Sequence, residues 1–448
     1  MLLLNVTAPS LPDVPLWASI PFAIMLLSIA VLPLIVESWW ERNRHKLIVA
    51  LALAIPTAIY LINEGLIHNL EHQIMYDYVP FIILLASLFV ITGGIHLSGD
   101  IKAKPIINTL FIGIGYFLAS IMGTTGAAML LIRPVISTNQ QRSHKAHTIL
   151  FFIAAVANCG GLLTPLGDPP LFLLFLRGAP FTWFLHLLPE WAFVGAILLI
   201  VYYLVDSYYY KKEDWVNLSA DAREVEPIRI TGKINFLFLL GVILSVAFVN
   251  DGFIPAMKSN PELGYEAPMW LKFLREIILL LLISLSLYST QKKVREQNKF
   301  SWRPIIEVAV VFLGIFITMV PTMLYLAKNA ASFGFSEPWQ FYYAAGSLSS
   351  FLDNAPTAVA FHGVAVGLVN GGQVMAEIAG IPEILLKAIA MGSVLFGSMT
   401  YIGNGPNFMV KAIAEESGIK MPSFFGYMFK FSLIVLLPIY ILVQLLFL

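Results

Sequence analysis

The chain has 448 residues, of which 58% are hydrophobic and only 12% are charged, and its formal net charge is zero. Soluble domains contain about 25% charged residues, so this composition excludes an ordinary soluble protein and predicts a polytopic membrane protein. A single cysteine, Cys159, excludes an internal disulfide and a cysteine-rich metal or redox centre. Residues 1–15 lack the basic segment of a cleavable signal peptide, and we expect none.

The first half of the chain is read as apolar segments long enough to cross a bilayer, which takes about 17–25 residues. Spans are predicted at 16–37, 46–66, 78–98 and 182–206, with a polar amphipathic piece at 67–77. Two further segments are too long or too interrupted to be simple spans. Residues 104–137 are broken at Gly123-Thr124-Thr125-Gly126, which predicts a re-entrant hairpin, and the span at 147–178 is broken by glycine and proline.

The second half repeats this order. Residues 207–233, the longest polar stretch, are predicted to form a cytoplasmic linker between a repeat at 1–206 and a repeat at 234–448. The predicted elements are spans at 234–254, 269–290, 304–327 and 422–447, a hairpin at 338–370 and a broken span at 383–415. The expected fold is an all-α polytopic membrane protein, in which each repeat has three scaffold helices, a hairpin, an interrupted helix and a final helix.

The breaks in the two interrupted helices share a sequence motif. Residues 161–172 and 397–408 both fit G-x-x-T-x-x-G-[D/N]-x-P-x-F without gaps, at an offset of 236 residues. A break of this kind survives in hydrocarbon only where it is buried in protein or lines a polar cavity. Paired interruptions in two halves of a membrane protein indicate a transporter binding site.

The distribution of positive charge tests this layout. With the N-terminus outside and each hairpin entering and leaving on one side, 20 of the 27 Lys and Arg residues fall on inner segments and six on outer ones. This excess fits the positive-inside rule. It predicts that both termini lie outside and that the two halves are inverted repeats, with one hairpin entering from each face.

The candidate site residues are the polar side chains at the four breaks. They are Thr124, Thr125, Asn158, Thr164, Asp168, Asp353, Asn354, Thr357, Thr400, Asn404 and Asn407. None of the breaks contains Lys or Arg, and hard monovalent cations prefer such carboxylate, hydroxyl and carbonyl oxygens. We therefore expect an ion site, with Asp168 and Asp353 as the ionisable Na⁺ ligands, because carboxylates at membrane depth are costly and usually functional.

Plainer interpretations of the polar residues stay open at this point. Asp168 could simply cap the half-helix that begins at Pro169, and Asp353 could be a tip residue that reaches solvent. His144 and His147 are expected to be solvated in an inner loop. Glu307 is expected to pair with Arg303 at the interface.

The motifs at the four breaks resemble those of the ion transporter superfamily, and most of all its NhaD-type sodium/proton antiporters. The residues that carry the resemblance are 123–128 (GTTGAA), 158–170 (NCGGLLTPLGDPP), 352–357 (LDNAPT) and 403–407 (GNGPN). The superfamily also includes arsenite permeases and citrate and dicarboxylate transporters. The resemblance implies a homodimer in a bacterial inner membrane, with a transport domain that moves as an elevator.

The expected function is exchange of Na⁺ or Li⁺ for H⁺, with Na⁺ as transported or coupling ion and no cofactor. The alternative is Na⁺- or H⁺-coupled transport of an organic anion such as citrate or a dicarboxylate. An uncoupled channel or sensor fits the paired breaks less well. No nucleophile–base pair or nucleic-acid patch is visible, so neither an enzyme nor a nucleic-acid partner is expected.

Overall fold

The computed structural model describes residues 12–223, 225–260 and 264–448. Most of the expectation about a signal peptide therefore falls outside the described residues. The helices of the first half are α1 (Ile20–Ile35), α2 (Glu37–Trp40), α3 (Asn43–Asn63), α4 (Ile67–His72), α5 (Val79–Thr92), α6 (Pro105–Met122), α7 (Thr124–Thr138), α8 (Ala146–Ala155), α9 (Pro169–Leu176), α10 (Leu188–Tyr210) and α11 (Trp215–Arg223).

The second half continues with the same kind of element. Its helices are α12 (Ile234–Phe248), α13 (Met269–Lys272), α14 (Leu274–Ser289), α15 (Lys292–Gln297), α16 (Arg303–Asn329), α17 (Pro338–Phe351), α18 (Asn354–Asn370), α19 (Glu383–Phe396), α20 (Gly405–Glu416), α21 (Phe424–Tyr427) and α22 (Leu437–Phe447). Short 3-10 segments lie at Leu16–Ser19, Cys159–Leu163, Phe181–Leu187, Pro255–Met257, Ala330–Phe333 and Gly397–Met399, and π-helical segments at Gln73–Tyr78 and Met428–Leu436.

The length and apolar composition of the helices indicate an integral membrane protein. Within the described ranges, eight helical segments are long and apolar enough to cross a bilayer, and Ile234–Phe248 is a shorter apolar helix. The hairpin and the break predicted in each half coincide with α6–α7, α8–α9, α17–α18 and α19–α20 to within a few residues.

The helices pack as two neighbouring groups. One group, the scaffold, consists of α1, α3, α5, α12, α14 and α16. The other, the broken-helix bundle, consists of both hairpins, both interrupted helices, α10 and α22. The two groups meet where α18 packs on α16 and α7 and α9 pack on α5. The functional candidates all belong to the broken-helix bundle.

The third predicted span is shorter than expected, because α5 ends at Thr92 instead of 98. The segment after it and the 207–233 linker each contribute a strand. Strands β1 (His96–Asp100) and β2 (Glu226–Thr231) pair antiparallel, with His96 opposite Thr231. The paired residues lie more than a hundred positions apart in the sequence. The short strands therefore contain no local pattern from which the pairing could be predicted.

The polar segment at 67–77 was expected to be separate from the span that follows it, and it is not. It continues into α5 as one helical segment, Ile67–Thr92. Its polar residues do not all face water, because Asp77 is buried and its Oδ2 accepts a hydrogen bond from Arg177 Nη2 at 2.7 Å. A long-range partner thus makes a polar stretch compatible with a continuing helix.

The histidines expected to be solvated are instead tied to carboxylates. His147 Nε2 lies 2.8 Å from Asp206 Oδ1, and the backbone amide of His144 donates to Glu213 Oε1 at 2.7 Å. Burial raises the pKa of the Glu213 carboxyl, but the backbone amides of Ser143 and His144 outweigh it and hold that pKa below its ordinary value. Arg142 is buried between Asp206 and Glu213, and this cluster fastens the base of the first hairpin to the end of α10.

The expected Arg303–Glu307 ion pair is replaced by contacts to the neighbouring helix. Lys46 on α3 donates to Glu307, and Arg303 donates to the backbone carbonyl of Glu41 at 2.5 Å. The spacing of four residues on α16 permits the local pair, but α3 and the turn before it pack against this end of α16 and supply other partners, Lys46 and the carbonyl of Glu41.

Candidate functional site

The candidate site lies where four helices begin. Helix α7 starts after Gly123, α9 after Asp168, α18 after Asp353 and α20 after Asn404. Gly123 has φ +80°, which favours glycine and allows the abrupt reversal from α6 into α7. The backbone amide of Thr124 then donates to the carbonyl of Gly167 at 2.8 Å, which ties the first hairpin tip to the first break.

Both interrupted helices restart in the same way. Asp168 (φ −143°, ψ 144°) and Asn404 (φ −149°, ψ 140°) are extended residues that precede helices with proline in the first turn. Proline suits this position because the amides of a first turn have no helical partner. The side chain of neither residue caps its own helix. The capping interpretation of Asp168 is therefore wrong, and its carboxylate is free to contact other elements.

The turn inside each break is also built identically. Thr164 Oγ1 donates to the carbonyl of Ser120, and Thr400 Oγ1 donates to the carbonyl of Ser350. Each hydroxyl also accepts the amide two residues on, at 3.2 Å. The two threonines thus hold each break against its neighbouring hairpin.

Glycine is required inside these turns because the chain passes very close to itself. A Cβ added at Gly167 would overlap the carbonyl of Gly161, and one added at Gly403 would lie 2.5 Å from the carbonyl of Gly397. These are corresponding positions of the repeated motif, so sterics explain the second glycine of the motif in both copies.

Asp168 is the centre of the site. It is 1% exposed, and its Oδ1 accepts hydrogen bonds from Thr124 Oγ1 at 2.8 Å and from Asn404 Nδ2 at 3.0 Å. Its Oδ2 accepts a hydrogen bond from Asn354 Nδ2. These three donors come from the first hairpin tip, the second break and the second hairpin tip. One carboxylate therefore joins all four breaks.

A second set of amides surrounds this carboxylate. Asn404 Nδ2 also lies 3.2 Å from Asn158 Oδ1, and Asn158 Nδ2 donates to Asn407 Oδ1 at 2.6 Å. Asn407 Nδ2 in turn donates to the carbonyls of Gly397 and Thr400. Asn158, Asn404 and Asn407 are buried, so the site is a continuous chain of amides between the two interrupted helices.

All of the hydrogen-bond partners of Asp168 are uncharged. The ion pairs among the described residues include no Lys or Arg on any residue of the four breaks. The side-chain oxygen of Asn354 is buried without a hydrogen-bond partner in the described part of the chain. A buried carboxylate without a counter-charge, next to such an oxygen, provides the ligands of a hard cation or a place for a proton.

The remaining predicted residues lie around this centre. Asp353 is half-buried and caps α18, since its Oδ1 accepts the amide of Ala355 at 3.1 Å. Thr357 Oγ1 donates to the carbonyl of Asp353 one helical turn away. Thr125 lines a cavity beside Asp168. Thr164 and Thr400 brace the turns and do not contact the carboxylate.

Sequence reasoning missed Ser120, which lies one turn before the first tip. Its hydroxyl donates to the carbonyl of Gly160 and its own carbonyl accepts from Thr164. The second half repeats this arrangement, because Ser350 Oγ lies 3.2 Å from the carbonyl of Phe396. The signal was present in the sequence as a serine shortly before each hairpin tip.

A cavity of about 80 Å³ adjoins the carboxylate. Its polar wall is formed by Thr124, Thr125 and Asp168, together with the small residues Gly123 and Gly126. Its opposite side, which we call the apolar wall, comes from α5 and the first turns of α16. The apolar wall consists of Leu84, Leu85, Leu88, Phe89, Ile305 and Val308.

Comparison with known families gives one match that covers nearly the whole chain. The family model described as "Putative citrate transport" (CitMHS_2) matches residues 11–448, nearly the whole chain. The chain belongs to this citrate transport family. It is thereby placed among membrane transporters, while the NhaD-type resemblance finds no specific support. No curated protein sequence matches the chain.

Proposed function

We propose that this member of the citrate transport family is a secondary active transporter that carries an organic anion, such as citrate or a dicarboxylate, together with Na⁺ or H⁺. The observation that carries the proposal is the convergence of four helix N-termini on Asp168. The positive dipole end of each helix N-terminus favours carboxylates and other anions, although Pro169 and Pro170 at the start of α9 have no amide to donate. The helix N-termini supply positive potential where the site has no Lys or Arg.

Coupling follows from the charge of Asp168. An ionised carboxylate there repels an incoming carboxylate across a poorly hydrated site, since like charges at short distance disfavour each other's ionised form. Binding of Na⁺, or protonation, cancels this charge and lets the helix N-termini act on the anion. The anion then binds well only when the cation is also present, which is the requirement for symport.

The proposal extends to the architecture of transport. The repeated motif, the repeated turn geometry and the charge distribution support two inverted repeats, with both termini outside a bacterial cytoplasmic membrane. The resemblance adds an elevator-like movement of the broken-helix bundle against the scaffold, and a homodimer. Na⁺ and H⁺ are the proposed ionic partners, and no cofactor is required.

Exchange of Na⁺ or Li⁺ for H⁺ is a second candidate. It is favoured by the hydrogen-bond donors to Asp168, which are all uncharged, so that a bound cation or a proton can balance its charge. In that case the chain needs no anion, and alternate binding of cation and proton at one carboxylate accounts for the exchange.

Reconstituted proteoliposomes separate the two functions. Uptake of labelled citrate and succinate is measured under imposed Na⁺ or pH gradients, and internal pH is followed with a dye in carboxylate-free buffer. We expect anion uptake that depends on the cation gradient. Asp168→Asn should remove that dependence, whereas Asp251→Asn, a change at an exposed carboxylate, should not. Na⁺-driven pH change without any anion uptake would replace the proposal by the second candidate.

A further inference from the structure

The cavity beside Asp168 has two unlike walls. The polar wall belongs to the first hairpin tip and the first break, whereas the apolar wall belongs to the scaffold helices α5 and α16. The hydroxyls on α5 do not change this, because Ser87 donates to the carbonyl of Leu84 at 2.7 Å and Thr92 to that of Leu88 at 2.6 Å. The scaffold thus offers hydrocarbon to whatever binds at Asp168.

The hairpin tip packs against helix α5, which carries part of the apolar wall. A Cβ added at Gly123 would lie 3.5 Å from Leu88 Cδ1, and one added at Gly126 would lie 2.9 Å from Thr92 Cγ2. Leu84 and Leu88 are buried in this contact. The wall therefore limits how much room the tip leaves for a bound molecule.

The cavity is small enough for the apolar wall to restrict which molecules can bind. Its volume of about 80 Å³ is about half that of an engineered apolar cavity of about 150 Å³ that accepts benzene. A hydrated ion or a small carboxylate group fits in this space, whereas a whole tricarboxylate does not. A third carboxylate would be pressed against leucine and valine, where it loses hydration without gaining a hydrogen bond.

We propose that the apolar wall selects the anion by size and charge number, with Leu88 and Val308 as the specificity-determining residues. This inference rests on the proposed anion transport. Smaller dicarboxylates would bind with both charges at the helix N-termini and their methylene groups against the wall. A tricarboxylate would fit only if the side chains of the apolar wall were smaller or moved away from the cavity. Trimming a wall residue then helps the larger anion more than the smaller one.

The test compares initial uptake of succinate and citrate by proteoliposomes holding wild type, Leu88→Ala, Leu88→Phe or Val308→Ala. We expect each alanine variant to raise the citrate-to-succinate ratio of kcat/KM by about ten-fold, the scale of a small change in a hydrophobic pocket. Leu88→Phe should lower the ratio. Ile83→Ala, on the same helix but outside the cavity, is the matched control and should leave it unchanged.

The outcomes separate this inference from the proposed function. Two wall positions are tested, so that a variant that fails to fold leaves the other to decide, and retained succinate uptake reports folding. An unchanged ratio with uptake intact overturns the role of the wall alone. Absence of any anion uptake by the wild type, with Na⁺-driven pH change intact, overturns the wall and the proposed anion transport together.

Discussion

The two interrupted helices are built alike but differ in charge. Asp168 and Asn404 occupy corresponding positions with nearly the same backbone angles, and Thr164 and Thr400 make corresponding hydrogen bonds. Yet Asp168 accepts three hydrogen bonds, one of them donated by Asn404 itself. The repeated motif therefore fixes the shape of both breaks, while a single substitution places the charge in only one of them.

This difference suggests a division of labour. The parts that the two breaks share, namely the threonine brace and the glycine contacts, hold four helix N-termini together. The part that differs supplies one ionisable group. Substitutions at matched positions of the two breaks can test that division.

Removal of the charge should have the largest effect. Asp168→Asn keeps the shape of the site but loses the group that binds a cation or proton, and we expect cation-dependent transport to fall at least about 100-fold, or about 2.7 kcal/mol. Gradient-driven uptake in proteoliposomes measures this, with Asp251→Asn as the control. Full cation dependence in Asp168→Asn would contradict the central role of this carboxylate.

Addition of a charge at the matched position should have the next largest effect. Asn404→Asp removes a donor 3.0 Å from Asp168 Oδ1 and places a second carboxylate there. Two carboxylates at this distance do not both ionise, so one keeps a proton to higher pH. We expect transport to fall by about ten-fold and to recover partly as the pH is lowered, as an uptake profile against pH would show.

The double swap Asp168→Asn with Asn404→Asp sharpens this result, because it moves the charge without changing its number. Partial recovery relative to Asp168→Asn would show that the pseudo-symmetric position can hold the coupling ion. A double variant as inactive as Asp168→Asn would show that the donors from Thr124 and Asn354 are specific to the first break.

Loss of Asn158 should reduce stability moderately. Asn158 has an apolar counterpart, Val394, in the second half, and its Nδ2 donates to Asn407 Oδ1. Asn158→Ala leaves buried amide groups without partners, which costs about 1–3 kcal/mol. The melting temperature in detergent should fall, whereas Asn69→Ala at an exposed site should not change it. Equal melting temperatures would show that this amide chain adds no net stability.

The smallest effects are expected at the shared threonines. Thr164→Val and Thr400→Val each remove a hydrogen bond to a serine carbonyl and a longer one from the amide two residues on, together worth about 1–2 kcal/mol. The two losses in thermal stability should be similar, because the two braces have the same geometry. A large difference between them would mean that the breaks are not equivalent in structure.

Much of the local organisation was determined by the sequence itself. The apolar segments, the two hairpins and the two broken helices could be predicted, because glycine, proline and segment length act within a few residues of where they occur. The breaks also singled out Asp168, Asn354 and Asn404. Their mutual contacts could only be suspected, since hydrogen bonds across 186 and 236 residues leave no local pattern.

Tertiary structure alone decided which partner each polar group has. Asp168 contacts other elements and does not cap α9, Glu307 pairs with Lys46, and His147 contacts Asp206. The two short strands pair across the chain for the same reason. A buried polar group pairs with whichever partner the packing brings within reach. The sequence therefore determines where the helices are interrupted, and the folded structure determines which residues contact the interruptions.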